Sequence, residues 1–303
     1  MQPLSRRQFL QRGTAAAAAL GASLAQPVWA TPLGKPIGLQ LYTVADALAK
    51  DVSGTLNQLS AIGYKSVETA GFASLTAKQF RDALDAAGLA CHSAHLQMNS
   101  PDLAPVFEDA HAVGAHFAVC SGMFPSTAGS PPTLDDYKRL AALLNDIGER
   151  AQQANLQYAY HNHNFEFKEL GDPGDHKIGY DVLLDATDPS LVDFELDCGW
   201  MVAAGFNPVE YFRKYPHRYK MLHIKDFVAG SKISTSLAKD LRPQGTELGR
   251  GHIDYKPIFH AAAKTDVTYY YVEQEPPFLD MSSLDAAKVD YDYLLHLGSR
   301  GAP

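Results

Sequence analysis

TLDDYKRLAALLNDIGERAQQANLQYAYHNHNFEF, Thr133–Phe167, holds one full repeat of the pattern that decides the fold. Thr133 can cap a helix whose first turn carries Asp135 and Asp136, setting a side-chain oxygen and negative charge against unpaired backbone N–H groups. The helix is expected to run Thr133–Ala154. Gln157–His161 then reads as a buried strand, and it runs into His161, Asn162, His163, Asn164 and Glu166. A helix, a short turn, an apolar strand and a polar strand end follow one another within this single stretch.

The same alternation extends both ways. Strands are predicted upstream at Ile37–Tyr42, Ser66–Thr69, Leu89–Ala94 and His116–Ser121, and downstream at Val192–Asp197, Tyr219–Ile224 and Thr268–Glu273. Helices are predicted at Val52–Ile62, Thr76–Ala87, Leu103–Val113, Tyr180–Asp185, Val209–Tyr215, Pro257–Ala263 and Leu284–Leu297. Eight strands alternating with eight helices is the count of an α/β chain closed into a (β/α)8 TIM barrel. An open doubly wound sheet would show a glycine-rich fingerprint after its first strand, where Gln40-Leu-Tyr-Thr-Val44 stands instead. No linker divides the chain, so residues 31–303 are read as a single domain. Gly122–Pro132 and Val228–Gly251 are read as long strand-to-helix loops on the active face.

Residues 1–30 are expected to be a signal peptide. Arg6 and Arg7 precede an apolar run from Ala15 to Leu24, and Val28-Trp-Ala30 offers a cleavage site. The paired arginines resemble the twin-arginine export signal, which implies a periplasmic or secreted protein that folds before export. Without Arg6, Arg7 and Arg12, the 26 basic residues become 23 against 34 acidic ones, a net charge of −11. Such a chain repels phosphate backbones, so no nucleic-acid partner is expected. No further segment is long enough to insert in a membrane once the signal is cleaved. Cys91, Cys120 and Cys198 fit neither a zinc ribbon nor a disulfide scaffold and are expected as buried free thiols. A homo-oligomer is compatible with these features but not required by them.

In a barrel of this kind, polar residues at the C-terminal strand ends face the site. Here they include Glu68 on strand two, His92 and His95 on strand three, and His161, His163 and Glu166 on strand five. Glu195 and Asp197 follow on strand six, His223, Lys225 and Asp226 on strand seven, and Glu273 and Glu275 on strand eight. Strands five to eight thus bring His161 or His163, Asp197, His223 and Glu273 to one rim. Burying carboxylates and imidazoles together is costly unless something pairs them, and a divalent cation would do so.

The ordered motifs YHNHNFEF (Tyr160–Phe167), FELDCGW (Phe194–Trp200), LHIKD (Leu222–Asp226), LGRGHIDY (Leu248–Tyr255) and YVEQE (Tyr271–Glu275) resemble the xylose isomerase-like TIM-barrel superfamily, in its sugar phosphate isomerase/epimerase branch. That resemblance implies metal ligands on strands five to eight and matches Asp197, His223 and Glu273. Many relatives carry Glu on strand five, whereas this chain has its His-Asn-His run. His161 is the ligand by position, with His163 and Glu166 as alternatives. Two imidazoles and two carboxylates suit manganese, zinc, cobalt or iron. Manganese is the expected ion, loaded in the cytoplasm before export.

The chemistry implied is removal of a proton beside a carbonyl, with the metal steadying the developing enolate. The resemblance makes Glu273 one base, and Glu68, His95 and Glu166 are candidates for the opposite face. Lys225 and Arg250 would donate to sugar oxygens, Tyr42 and Trp200 would stack on the ring, and His163 would line it. Glu195 shares the face of Asp197 but lies deeper, which suits a group that steadies a ligand. Gly249-Arg-Gly251 is a weak candidate for a phosphate loop, and export argues against phosphorylated substrates, so the partner is expected to be an unphosphorylated sugar or oxidised glycoside. An isomerase or epimerase is the leading expectation. A lyase eliminating from 3-keto-glycosides and a non-catalytic carbohydrate-binding barrel are the alternatives. AP endonucleases share the superfamily, but export and charge argue against a DNA substrate.

Overall fold

The computed structural model describes residues 31–123, 132–171, 176–278 and 280–299; the predicted signal peptide and most of the Gly122–Pro132 loop lie outside the described residues. Eight parallel strands close into one barrel in sequence order: β1 Gly38–Gln40, β2 Ser66–Thr69, β3 Ala90–His95, β4 Phe117–Ser121, β5 Gln157–His161, β6 Asp193–Asp197, β7 Tyr219–Ile224 and β8 Tyr269–Val272. Strand β8 closes on β1, with Gly38 opposite Tyr271 and Leu39 opposite Val272. The closure depends on a missing side chain: a Cβ on Gly38 would stand 2.4 Å from the Tyr271 ring.

The helices that alternate with the strands are α1 Val52–Ile62, α2 Ala77–Ala87, α3 Ala104–Val113, α4 Leu134–Gln153, α5 Gly179–Ala186, α6 Pro208–Lys214, α7 Tyr255–Ala262 and α8 Ser283–Ser299, with short additional helices at Ala45–Leu48 and Cys198–Ala203. Thr133 caps α4 as expected, in a reciprocal pair with Asp136, and Thr76 and Gln79 cap α2 in the same way. The apolar faces of the helices pack on the outward side chains of the strands, among them Val67, Tyr160, Phe194 and Leu222.

The inward side chains form a second, smaller apolar group: Phe117, Val119, Ala159, Met221 and Tyr271 fill the lower barrel. Period-two alternation then sets the next inward positions higher up, and there they are Glu68, His95, His161, Glu195 and His223. The barrel is therefore plugged below by hydrocarbon and filled above by ionisable groups. The first strand is shorter than the predicted Ile37–Tyr42, and the segment after β7 carries structure of its own. Leu41–Val44 forms a 3-10 turn after β1, and Asp226–Phe227 pairs antiparallel with Gly245–Thr246 inside the long loop after β7. All three cysteines are buried and free, as expected. No helix among the described residues is long and apolar enough to cross a membrane.

Candidate active site and metal centre

Asp197 ends β6 and caps the short helix Cys198–Ala203: its Oδ1 accepts from the Trp200 N–H at 2.7 Å. That bond turns Oδ2 toward the barrel axis, where it has no hydrogen bond. The neighbouring strand fixes the backbone as well, since Asn162 Oδ1 accepts from the Asp197 N–H at 3.0 Å. Gly199 is required where this helix crosses β7, because a Cβ there would meet Lys225 Cγ at 2.2 Å.

His161 Nε2 and His223 Nδ1 each lie 4.0 Å from Asp197 Oδ2, and His223 Nδ1 lies 3.2 Å from Glu273 Oε2. One donor atom from each of His161, Asp197, His223 and Glu273 falls within 4.8 Å of the others, and all four residues are buried. A cation bound at about 2.0–2.2 Å from each donor separates neighbouring donors by roughly 3–4 Å. The set fits a divalent ion in spacing and in chemistry.

The other ring nitrogens explain why these histidines hold still. His161 Nδ1 and His223 Nε2 lie 3.1 and 3.2 Å from Glu195 Oε2, and His223 Nε2 is 2.6 Å from Glu68 Oε2. Such carboxylates fix the tautomer and ring orientation, leaving the outer nitrogens for a metal. Glu68 is in turn held by Gln40 Nε2 at 2.8 Å and by the Ser93 hydroxyl. His95 completes an inner tetrad with His161, Glu195 and His223. Burial and Glu68 would raise Glu195, yet His223 and His161 bring it down to about 2. Burial would likewise raise Glu68, but His95 and His223 hold it far below the carboxylate range. Asp197 goes the other way: burial lifts it to about 6, and Lys225 and His223 only partly oppose that. The carboxylate whose Oδ2 accepts no hydrogen bond and is faced by the Lys225 ammonium at 3.1 Å is thus the one left under-compensated.

Lys225 leaves β7 and turns its ammonium to Glu273 Oε2 at 2.6 Å, Glu275 Oε1 at 3.0 Å and Asp197 Oδ2 at 3.1 Å. Burial disfavours the charge, but these three carboxylates hold Lys225 firmly protonated. Arg242, from the long loop after β7, reaches Glu275 Oε2 at 2.9 Å.

The sequence profile of the xylose isomerase-like TIM-barrel family matches residues 56–287. This chain belongs to that family. It is 32% identical over 154 residues to the inosose dehydratase of Clostridium tetani, covering 48% of this chain and 49% of that protein. The chain spans about half to 60% of the length of the curated relatives it matches. A sugar phosphate isomerase/epimerase from Parabacteroides distasonis superposes with a TM-score of 0.72 at 26% identity, over 91% of this chain and 96% of that one. A xylose isomerase-like TIM barrel protein from Mycobacterium smegmatis, solved in complex with magnesium, shares the fold at a TM-score of 0.60 and 17% identity, over 89% and 98% of the two chains.

Above the four candidate donors of this xylose isomerase-like barrel opens a cleft of about 610 Å³. His95, His163, Glu273 and Glu275 lie on its metal-proximal side, and Gln40, Tyr42, Phe72, Gln97, Asp109 and Ser121 line the remainder. Of the groups expected to touch substrate, Tyr42, His95, His163 and Glu273 face this space. Burial and Lys225 lower His163 to about 4, which keeps its ring neutral, and its Nδ1 has no hydrogen-bond partner.

Other expected roles are corrected by position. Glu68 is on the inward face but too deep: it is fully buried, and its oxygens are taken by Gln40, Ser93, His95 and His223. Glu166 is also fully buried, and it accepts from the Tyr160 hydroxyl at 2.8 Å and the His163 N–H at 2.9 Å, shaping the end of β5 away from the cleft. Trp200 is 1% exposed and packs under Lys225, whose ammonium stands 4.9 Å from the ring centre, so its face is closed to a sugar. Arg250 points away and pairs with Glu247 at 3.3 Å.

The LGRGHIDY motif has a different job. Asp226 accepts the N–H groups of Gly249, Gly251, His252 and Ile253 at 3.0–3.2 Å, and a Cβ on Gly251 would strike its carboxylate at 2.1 Å. The glycines wrap the protein's own carboxylate, and the N–H groups a phosphate would need are taken. Gln40, Ser93 and Arg242 were not singled out from sequence, and Glu275 was named among the polar strand ends without a role. Glu275 alone carried a signal, since period-two alternation from Glu273 puts it on the same face.

Proposed function

We propose that this barrel is a metal-dependent enzyme that removes a proton from the carbon beside a carbonyl of an unphosphorylated sugar. The observation that carries the reading is the convergence of donors from four successive strands, His161, Asp197, His223 and Glu273, at one side of an open cleft. A divalent ion held by these four residues would polarise a substrate carbonyl and its neighbouring hydroxyl. Glu273 also faces the cleft, so its carboxylate can accept the proton from the adjacent carbon. Lys225, 2.6 Å from that carboxylate, favours its ionised form; buried, with its ammonium on Glu273, Glu275 and Asp197, it acts through those carboxylates and not as the expected donor to a sugar oxygen. His95 stands on the same cleft and can exchange a proton with the substrate on another side. His163 contributes a neutral ring for a hydroxyl. The engagement of the Gly249–Gly251 N–H groups by Asp226 supports an unphosphorylated substrate, in keeping with the expected export.

The resemblance to a sugar phosphate isomerase/epimerase supports return of the proton to carbon, and hence isomerisation or epimerisation. A second reading, elimination of a neighbouring oxygen substituent, is supported by the curated relatives, which are named inosose dehydratases. Manganese is proposed as the native ion, because mixed imidazole and carboxylate donors suit it and folding before export would let the cytoplasm choose the metal. The test is to incubate metal-loaded protein with keto-sugars in deuterium oxide. Deuterium next to the carbonyl in an otherwise intact sugar supports isomerisation or epimerisation, and an unsaturated product supports elimination. No exchange and no product with any keto-sugar contradicts the proposal, and a preference for phosphorylated sugars contradicts the substrate class.

A further inference from the structure

The cleft extends well beyond the metal donors. At about 610 Å³ it falls in the middle of the roughly 300–1,000 Å³ range that encloses drug-sized ligands, and a single pyranose ring on the metal donors leaves much of it empty. Its far wall comes from the loops after β1, β2 and β3 and from α3, and carries two aromatic rings, Tyr42 and Phe72, with the polar groups Gln97 and Asp109. Tyr42 is 48% exposed in a protein whose other tyrosines are largely buried in the core.

The turns that carry both rings are held in place. The Tyr42 N–H donates to Gln40 Oε1 at 3.0 Å, and the amide of the same Gln40 donates to Glu68 at 2.8 Å, so the turn bearing Tyr42 is fastened to the carboxylate that steadies His223. Phe72 sits in a turn whose backbone is left-handed at Gly71, Ala73 and Ser74, with φ of 97°, 49° and 68°. Non-glycine residues avoid that region, and such strain persists only where surrounding structure enforces it. The Leu75 N–H closes the turn on the Phe72 carbonyl at 2.9 Å, and the Phe72 ring is backed by fully buried Phe80, 6.1 Å away between centres.

Resting on the sugar reading above, we infer that the far cleft is a second-ring subsite and that the substrate is a glycoside, a keto-sugar joined through oxygen to another flat-faced ring. The reacting sugar sits on the metal donors. The second ring lies between Tyr42 and Phe72, whose faces match the C–H face of a sugar or an aromatic aglycone. Gln97 and Asp109 take its hydroxyl groups.

Binding to magnesium-loaded, otherwise intact protein tests this, with glucose and methyl β-glucoside as one-ring probes and phenyl β-glucoside and cellobiose as two-ring probes, read by calorimetry and saturation-transfer NMR. At least one two-ring probe should bind about tenfold tighter than methyl β-glucoside. Phe72→Ala and Tyr42→Ala should bring that ratio close to one while magnesium titrates as in the unaltered protein, which also shows that the variants fold. Tighter binding of phenyl β-glucoside than of cellobiose identifies an aromatic aglycone, and the reverse identifies a second sugar. Equal affinity for one-ring and two-ring probes, or a ratio that survives both substitutions, overturns the inference while leaving the sugar reading intact. Binding of none of the four probes overturns the inference, and the keto-sugar exchange in deuterium oxide then decides the sugar reading by itself.

Discussion

The two halves of the barrel do different work. Strands β5 to β8 deliver His161, Asp197, His223 and Glu273, with Lys225 and Glu275 beside them, and bury nearly all of this charge. Strands β1 to β4 and their loops deliver most of the cleft wall: Gln40, Tyr42, Phe72, Gln97 and Ser121, which carry no charge. One half grips an ion and the other shapes the space for what the ion acts on. Of the first half's ionisable groups, Asp109 on α3 and His95 on β3 line the cleft, and Glu68 works from beneath by holding His223. Because the grip and the shape are built from different strands, they should fail separately.

The largest effect is expected where the grip itself is cut. Asp197→Asn keeps a side-chain oxygen for the Trp200 N–H and removes the negative donor, so calorimetric titration with manganese should show binding weakened by more than the roughly 10–100-fold typical of losing a supporting partner. Glu195→Gln should fall within that 10–100-fold range, because it loosens His161 and His223 without removing a donor. Equal losses from both variants would erase the distinction between donor and support.

Lys225 gives a change of opposite sign. Its ammonium lies 2.6 and 3.1 Å from the carboxylate oxygens that would also face the ion. Lys225→Met should therefore tighten manganese binding, by about tenfold if the relief is near 1.4 kcal/mol, and should lower turnover. Weaker metal binding in that variant would mean that Lys225 organises the donors instead of competing for them.

The smallest effect concerns a buried charge in the second half but off the cleft. Asp290 on α8 accepts from the Leu248 N–H at 2.7 Å, and burial, with Glu247 and Asp226 nearby, pushes it up to about 8. A folded-state pKa above the unfolded value near 3.9 means that the folded state holds the extra proton between about pH 4 and pH 8, so this group's contribution to stability is fullest below pH 4 and declines as the pH rises to 8. Asp290→Asn should raise the melting temperature relative to the parent progressively from pH 5 to pH 8 and leave manganese affinity unchanged. A flat difference across that range would show that the carboxyl is not protonated when buried.

Much of this division was legible in the sequence, because period two along a strand and the polarity of strand ends are local properties. Asp197, His223 and His161 are strand residues, and Glu273 is the first residue past β8, so direction follows from alternation once the barrel is recognised. Depth across strands does not. Glu195 was placed below Asp197 because both lie on one strand, and it does hold the inner nitrogens of His161 and His223, but nothing on β2 says that Glu68 lies in the same lower layer. Residues past a strand end escape alternation too. Glu166 follows a turn that reverses its side chain toward Tyr160, and Trp200 sits on a helix that folds over Lys225. Arg250 and the glycines beside it were read against an external anion, whereas their partners, Glu247 and Asp226, are in the same chain. Arg242 belongs to a loop with no periodic signal, and its position follows only from the ladder pairing Asp226–Phe227 with Gly245–Thr246.

The most direct test of the central claim is the anomalous-scattering map of a crystal of this protein loaded with manganese. The account predicts one manganese peak bounded by His161 Nε2, Asp197 Oδ2, His223 Nδ1 and the Glu273 carboxylate. A crystal without a peak there, or with its peak among His95, Glu195 and the inward nitrogens of His161 and His223, would contradict it.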